Sequence, residues 1–272
     1  MKSCVTISLV PEARGGPFVF WDDLAKSCAQ AAELGFDAVE IFPPSPEAVR
    51  LERIAPLLKS GGLPVAALGT GAGWVKHKLT LTHPDPTVRA GAVEFIQNMA
   101  ESASEHGAKV ILGSMQGKWE GAVSRGQALE WLGDGIKRVA DFAAARNVTL
   151  LYEFLNRYET NLLNRVEEAR DFIAKLGRPN VRLLADLFHM NIEEVSLPAA
   201  IRAGGAAIGH IHFVDSNRRA AGMGHADFRG VVQALRDIGY SGFLSAEALP
   251  LPDSMEAARA TIRSFRGLTA QT

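Results

Sequence analysis

Glu153, Asp186, His212 and Glu247 stand 33, 26 and 35 residues apart. Three carboxylates and an imidazole are side chains of metal coordination and of general acid and base chemistry. Each lies at or near the end of a short, mostly apolar run: LLYE, LLAD, HIHF and FLSAE. Carboxylates crowded on an apolar rim repel one another and raise one another's pKa, and a divalent cation resolves that conflict. Two Glu, one Asp and one His make a mostly oxygen donor set with positions open to a substrate. Such a set suits Mn²⁺, Mg²⁺ or Co²⁺ better than structural zinc. Taken singly, each acid has a plainer use, capping a helix or pairing with an Arg. The matched intervals of all four favour the joint use.

Neighbouring residues extend the pattern. In LLADLFHM, His189 follows Asp186 by three residues and is placed in the loop just above the rim, where it can donate to a substrate hydroxyl. In HIHFVDSNRR, His210 and His212 share one strand face by the two-residue period. His212 is nearer the strand end and is the better ligand; His210 is expected one layer deeper, hydrogen-bonded in the core. Arg218 can reach over the mouth to hold a hydroxyl or an oxyanion, whereas Arg219 is expected in solvent. Glu40 ends the run DAVEIF and also points at the rim. It is read either as a hydroxyl-binding group or as half of a structural pair.

These residues need a scaffold that brings distant strand ends together. Short β-rich runs at 4–9, 38–42, 65–68, 109–112, 149–154, 181–186, 207–214 and 242–247 predict eight strands. Several are continuously apolar, as parallel strands covered on both faces should be. Amphipathic stretches between them predict helices over 22–34, 86–106, 127–146, 165–176, 228–238 and 254–265. Weaker ones are expected at 51–58, where Pro56 intervenes, and at 197–202. Three junctions, ELGFDAVEIF, EHGAKVILG and DIGYSGFLSAE, repeat one plan of helix end, glycine and strand. The repeat predicts an α/β fold, a single (β/α)8 barrel over residues 1–272, whose active sites sit at the C-terminal rim of the strands. Neither GxGxxG after the first strand nor GxxxxGK[ST] occurs, so nucleotide folds lose their main signal. The segment 69–86, GTGAGWVKHKLTLTHPDP, is long for a connection and is expected to shape the mouth of the site.

Composition narrows the classes. The chain has 29 Lys and Arg against 30 Asp and Glu, a formal charge of −1. That balance gives no general pull toward nucleic acid or anionic membrane. No apolar run approaches the roughly 20 residues of a transmembrane helix. The N-terminus reads as a first strand and not as a signal peptide. Cys4 and Cys28 lack the spacing of a disulfide or zinc framework and read as buried small hydrophobes. A cytoplasmic enzyme with a small-molecule substrate is the expectation.

The motifs GFDAVEI, HPDPTVRAGAVEFIQ, YEFLNRYETNLLN, LLADLFHM, GHIHFVDSNRRAAGMGHADF and GFLSAE span most of the chain. Together they resemble the sugar isomerase and epimerase barrels related to xylose isomerase, in particular the D-tagatose and D-psicose (allulose) 3-epimerases. The stretch Glu153-x-x-Asn156-Arg157-Tyr158-Glu159 carries most of the likeness to the epimerases. The resemblance implies a cation, Mn²⁺ first, held by Glu153, Asp186, His212 and Glu247. It implies that Glu153 and Glu247 also serve as acid and base on opposite sides of a free keto sugar, through a cis-enediolate. Glu159 would support the site, with His189 and Arg218 on sugar oxygens, in a homodimer or homotetramer. Phe154 stands where the family often has Pro, Ala248-Leu249 where it often has Pro-Phe, and Ile7 near a strand-one aromatic. These departures predict altered apolar walls around an intact donor set. The alternatives on the same site are an isomerase of hydroxypyruvate, an inosose or a sugar phosphate, and a keto-sugar eliminase or dehydratase. A related DNA-repair endonuclease would need more His and acidic ligands and a basic surface. A non-enzymatic sugar-binding barrel would not need the full donor set.

Overall fold

The computed structural model describes residues 1–59 and 61–270. Strands and helices alternate along the chain: β1 (Lys2–Ser8), α1 (Leu24–Leu34), β2 (Ala38–Phe42), α2 (Leu51–Leu58), β3 (Val65–Gly69), α3 (Pro86–His106), β4 (Lys109–Leu112) and α4 (Arg125–Ala144). They continue with β5 (Leu150–Glu153), α5 (Val166–Leu176), β6 (Val181–Asp186), α6 (Leu197–Gly204), β7 (Ile208–His212), α7 (Phe228–Asp237), β8 (Phe243–Ala246) and α8 (Ser254–Thr269). Asp23, Asp85, Ser124, Ser196, Asp227 and Asp253 each cap the helix that follows by accepting a backbone N–H. Such a cap satisfies a donor that the first turn leaves unpaired. Gly35 and Gly107 end α1 and α3 with φ of 80° and 63°, the left-handed turn that a side chain would strain.

Each strand pairs in parallel with the next, and β8 pairs back onto β1 from Lys2 with Phe243 to Val5 with Ala246. The closed sheet is the single (β/α)8 barrel that the repeat predicts. The two-residue period of the strands divides their side chains between two cores. Val5, Ile7, Tyr152, Leu183 and Ile211 join the helices in one large outer core. Ala67, Ile111, Leu151 and Leu184 form a separate cluster, two residues below the rim on β5 and β6. The inner face therefore ends in Glu153 and Asp186, above an apolar layer.

Some local expectations are corrected. Phe20–Trp21 forms a short extra strand on β1. The segment 69–86 contains a helix, Ala72–His77. His189 lies in a short helix, Leu187–Glu193, and not in a loop. α2, by contrast, spans the 51–58 expected, with Pro56 inside it; the missing N–H removes one bond from a helix of two turns. Among the described residues, no helix is long and apolar enough to cross a membrane.

Candidate active site

β5, β6 and β7 end on Glu153, Asp186 and His212, and Glu247 directly follows β8. Strand register sets Asp186 opposite His212. His212 Nδ1 lies 3.2 Å from Asp186 Oδ2, 3.4 Å from Glu153 Oε1 and 3.5 Å from Glu247 Oε2. One donor atom from each of the four lies within 4.8 Å of all the others. Three of the residues are buried and Glu247 is nearly so. Three carboxylates converging on one imidazole nitrogen, out of water, form a potential site for a divalent metal.

The surroundings aim this set. His212 Nε2 lies 3.1 Å from Glu40 Oε1, and His210 Nε2 lies 2.8 Å from Glu40 Oε2. With Nε2–H donating to Glu40, His212 turns Nδ1 toward the cluster. A carboxylate behind an imidazole fixes the tautomer and orientation of metal-binding histidines in this way. Of the two uses read for Glu40, the pairing is present, with both oxygens engaged by imidazoles, and Glu40 also borders the open space over the cluster. His210 takes the hydrogen-bonded interior place expected of it.

Asp186 does two things at once. Its Oδ1 accepts the backbone N–H of Phe188 at 2.7 Å and of His189 at 3.3 Å, capping the helix Leu187–Glu193. Its Oδ2 remains for the cluster. The helix in turn presents His189, whose Nε2 is 3.9 Å from both Glu153 Oε1 and Asp186 Oδ2. That nitrogen is buried and, among the described residues, has no hydrogen-bond partner. Asn156 defines its state. Asn156 Oδ1 accepts the Tyr158 N–H at 2.9 Å, so its amide nitrogen faces His189 Nδ1 at 2.7 Å. Nδ1 is then the acceptor, and the proton sits on Nε2, pointing at the cluster. An unpaired buried donor beside carboxylates is a place for an oxygen of a bound molecule.

Arg218 closes the opposite side. It donates to Glu247 Oε2 at 2.9 Å and to Glu159 Oε1 at 3.3 Å, with its guanidinium over the Phe188 ring. Its φ of 60° is unusual for a non-glycine residue. The loop that holds it is tied by buried Asp215, which accepts backbone N–H groups from Ser216, Gly222 and Ala226. Arg219 is exposed. Glu159 sits between Arg218 and Asn156 at the mouth.

The charges settle unevenly. Burial alone would raise the Asp186 carboxyl, but His189, His212 and Arg218 hold it well below the usual range. The same contest, with His212 and His210 as partners, holds Glu40 low. Burial pushes Glu247 up to about 8, against the pull of His212 and Arg218 and with the help of Glu153 and Asp186. Burial disfavours the His212 imidazolium, yet the surrounding Glu247, Glu40, Asp186 and Glu153 raise it well above its ordinary value. In the metal-free chain a proton therefore occupies the place that a cation fits.

Above the cluster is a cavity of about 330 Å³, with Phe18, Phe42, Trp74, Ile111 and Leu155 among its apolar walls. The altered walls expected from Phe154, Ala248 and Ile7 lie elsewhere. All three side chains are in the outer core, packed toward the helices. Thr6, one residue before Ile7, is the strand-one residue that faces the cavity. Trp74 and Phe18 had no periodic signal, because Trp74 comes from a helix of only six residues after β3 and Phe18 from the irregular segment after β1. Gly113, just beyond β4, is also part of the site: a Cβ there would lie 2.5 Å from Glu153 Oε2.

Residues 28–266 match the family described as xylose isomerase-like TIM barrel. The chain is 32% identical over 241 residues to a D-psicose 3-epimerase of Agrobacterium fabrum, covering 86% of this chain and 79% of that protein. It is 31% identical over 227 residues to an L-ribulose 3-epimerase of a Methylomonas species, covering 82% and 77%. The fold superimposes on the crystal structure of a D-allulose 3-epimerase from Methylomonas with a TM-score of 0.81, at 26% identity, over 98% of both chains.

Proposed function

Because this chain belongs to the xylose isomerase-like TIM-barrel family, and is an enzyme of the epimerase and isomerase class, we propose that it is a divalent-metal-dependent ketose 3-epimerase. The observation that carries the proposal is the approach of two carboxylates to one point. Glu153 and Glu247 come from strand ends three positions apart on the eight-strand ring, and each reaches His212 Nδ1 within 3.5 Å. A substrate carbon held between them has a carboxylate on each face.

Glu153, Asp186, His212 and Glu247 would hold the cation, with Mn²⁺ preferred and Mg²⁺ or Co²⁺ able to replace it, since the donors are mostly oxygen. When bound, the cation supplies Lewis acidity next to the ketone, which lowers the barrier to loss of the neighbouring proton. One glutamate takes that proton from C3, leaving the electron pair in a cis-enediolate. The other returns a proton to the opposite face, so only the configuration at C3 changes. His189 Nε2–H and Arg218 would donate to sugar oxygens, and Glu159 would hold Arg218 in place. Glu40 would act through His212. The free, buried thiols of Cys4 and Cys28 fit a reducing compartment, and the enzyme is proposed to work in the cytoplasm.

The test is hydrogen exchange at C3 of a ketose in D2O with the metal-loaded enzyme. Glu153→Gln and Glu247→Gln should each lower exchange about 10³-fold, the range of a lost general acid or base. Wild-type exchange persisting in the double variant would overturn the assignment.

A further inference from the structure

A second cavity, of about 510 Å³, opens beside the one over the carboxylates. The two share Trp74, Ser114, Leu155 and Glu159 as walls, so they meet at those residues. The catalytic cavity alone is at the small end of the range of ligand sites. The joined space is more than twice as large. The lining of the second part has a particular chemistry. Trp74 is 38% exposed and lines this cavity, with the Lys78 ammonium 4.9 Å from the centre of its ring. Among the described residues, the Ser114 and Thr80 hydroxyls have no hydrogen-bond partner. His83 uses Nδ1 to accept the Asp85 N–H, which leaves Nε2 available. Lys118 is already paired with Glu120 at 3.2 Å, and Glu159 faces the junction. Among the described residues this lining carries a single Lys, Lys118, and no Arg, short of the cluster of cations that suits a phosphoryl group. An indole surface edged with hydroxyls, an imidazole and a carboxylate suits a neutral polyhydroxylated ring, apolar on its C–H face and polar at its rim.

We propose that the substrate is a keto sugar carrying a second, glycosidically linked ring remote from its ketone, and that this ring occupies the second cavity. The proposal rests on the 3-epimerase reading of the carboxylate site. The chemistry is unchanged: a proton leaves C3 and returns to its opposite face, and the glycosidic bond neither forms nor breaks. The test compares D-fructose with 6-O-α-D-glucopyranosyl-D-fructose on the metal-loaded enzyme. Deuterium uptake at C3 is followed, together with saturation transfer from protein to the glucosyl protons by NMR. The expected result is a kcat/KM for the disaccharide at least equal to that for D-fructose, with strong saturation of the glucosyl ring. Ala122→Trp, at an exposed position in the second cavity, should lower the ratio of the two kcat/KM values about tenfold or more. Lys118→Ala, which only trims a surface side chain paired with Glu120, is the control and should leave the ratio unchanged. Turnover of D-fructose without turnover of the disaccharide, or an unsaturated glucosyl ring, would overturn the second site and leave the epimerase reading standing. A ratio unmoved by Ala122→Trp would also overturn it. Exchange with neither sugar would overturn both readings.

Discussion

The Asn156 amide has one orientation open to it, because the Tyr158 N–H claims its oxygen. That single constraint decides which nitrogen of His189 carries a proton. Asn156→Asp replaces the amide donor by an acceptor of nearly the same shape, which draws the His189 proton onto Nδ1 and leaves Nε2 an acceptor. We expect kcat/KM to fall at least about tenfold, the loss of one buried donor contact, with little change in melting temperature. The ¹⁵N shifts of the His189 ring report the tautomer directly, and an unchanged Nε2–H with unchanged kinetics would contradict the assignment. Asn156 was visible in the sequence as part of YEFLNRYE, but its role was not. That role depends on where a backbone N–H two residues on points, which residue type alone does not encode.

The helix Leu187–Glu193 carries His189, and Asp186 both caps it and faces the cluster. Those two uses can be separated. Asparagine is as good a cap as aspartate, whereas alanine is not. Asp186→Asn should therefore keep the helix and the melting temperature of the metal-free protein while lowering cation affinity about 100-fold or more. Asp186→Ala should lose affinity and in addition about 1 kcal/mol of stability. Calorimetric titration with Mn²⁺ and thermal melts of the metal-free variants check the pair. Equal stability of the two variants would show that the cap contributes nothing. Seven residues are too few for a helical periodicity to stand out, and so His189 read as a loop residue. The cap was the usable signal, but Asp186 was already accounted for as a rim carboxylate. Helices such as α3 and α4, with five or six turns of apolar stripe, were legible because repetition averages out local exceptions.

At the scale of the whole molecule, the donor set joins the ends of four consecutive strands, β5 to β8. A cation bound there ties that part of the barrel together and stabilises the folded form by mass action. In the metal-free chain the sign of the pH dependence follows from the surroundings of the buried charges. His212 and Glu247 both bind their protons more tightly when folded, so their contribution to stability is complete at low pH. It is lost as pH rises from the ordinary carboxylate range toward and beyond about 8, the folded value for Glu247. Asp186 and Glu40, held low, act in the opposite sense, and only as pH falls below the ordinary carboxylate range. Cation binding must displace those protons, so affinity rises with pH. Melting curves with chelator and with Mn²⁺ should therefore diverge as pH is raised from 6 to 8, these limits being approximate. A gap that narrows over that range would refute the shared site.

What the sequence by itself determined was the barrel and the rim. Eight apolar runs, separated by amphipathic stretches and stopped by glycines, leave few other ways to bury both faces of a parallel sheet. The two-residue strand period then puts Glu153 above Leu151, Asp186 above Leu184 and His212 above His210, at one end of one face. Only the tertiary structure decided what each rim residue meets. It turned Phe154 and Ile7 outward to the helices, gave both oxygens of Glu40 to two imidazoles from a strand 170 residues away, and folded 72–77 into a helix that brings Trp74 to the cavity. Spacing along the chain records which face a side chain takes within its own element. The partners it finds there are set by packing between elements, which is a property of the closed barrel as a whole.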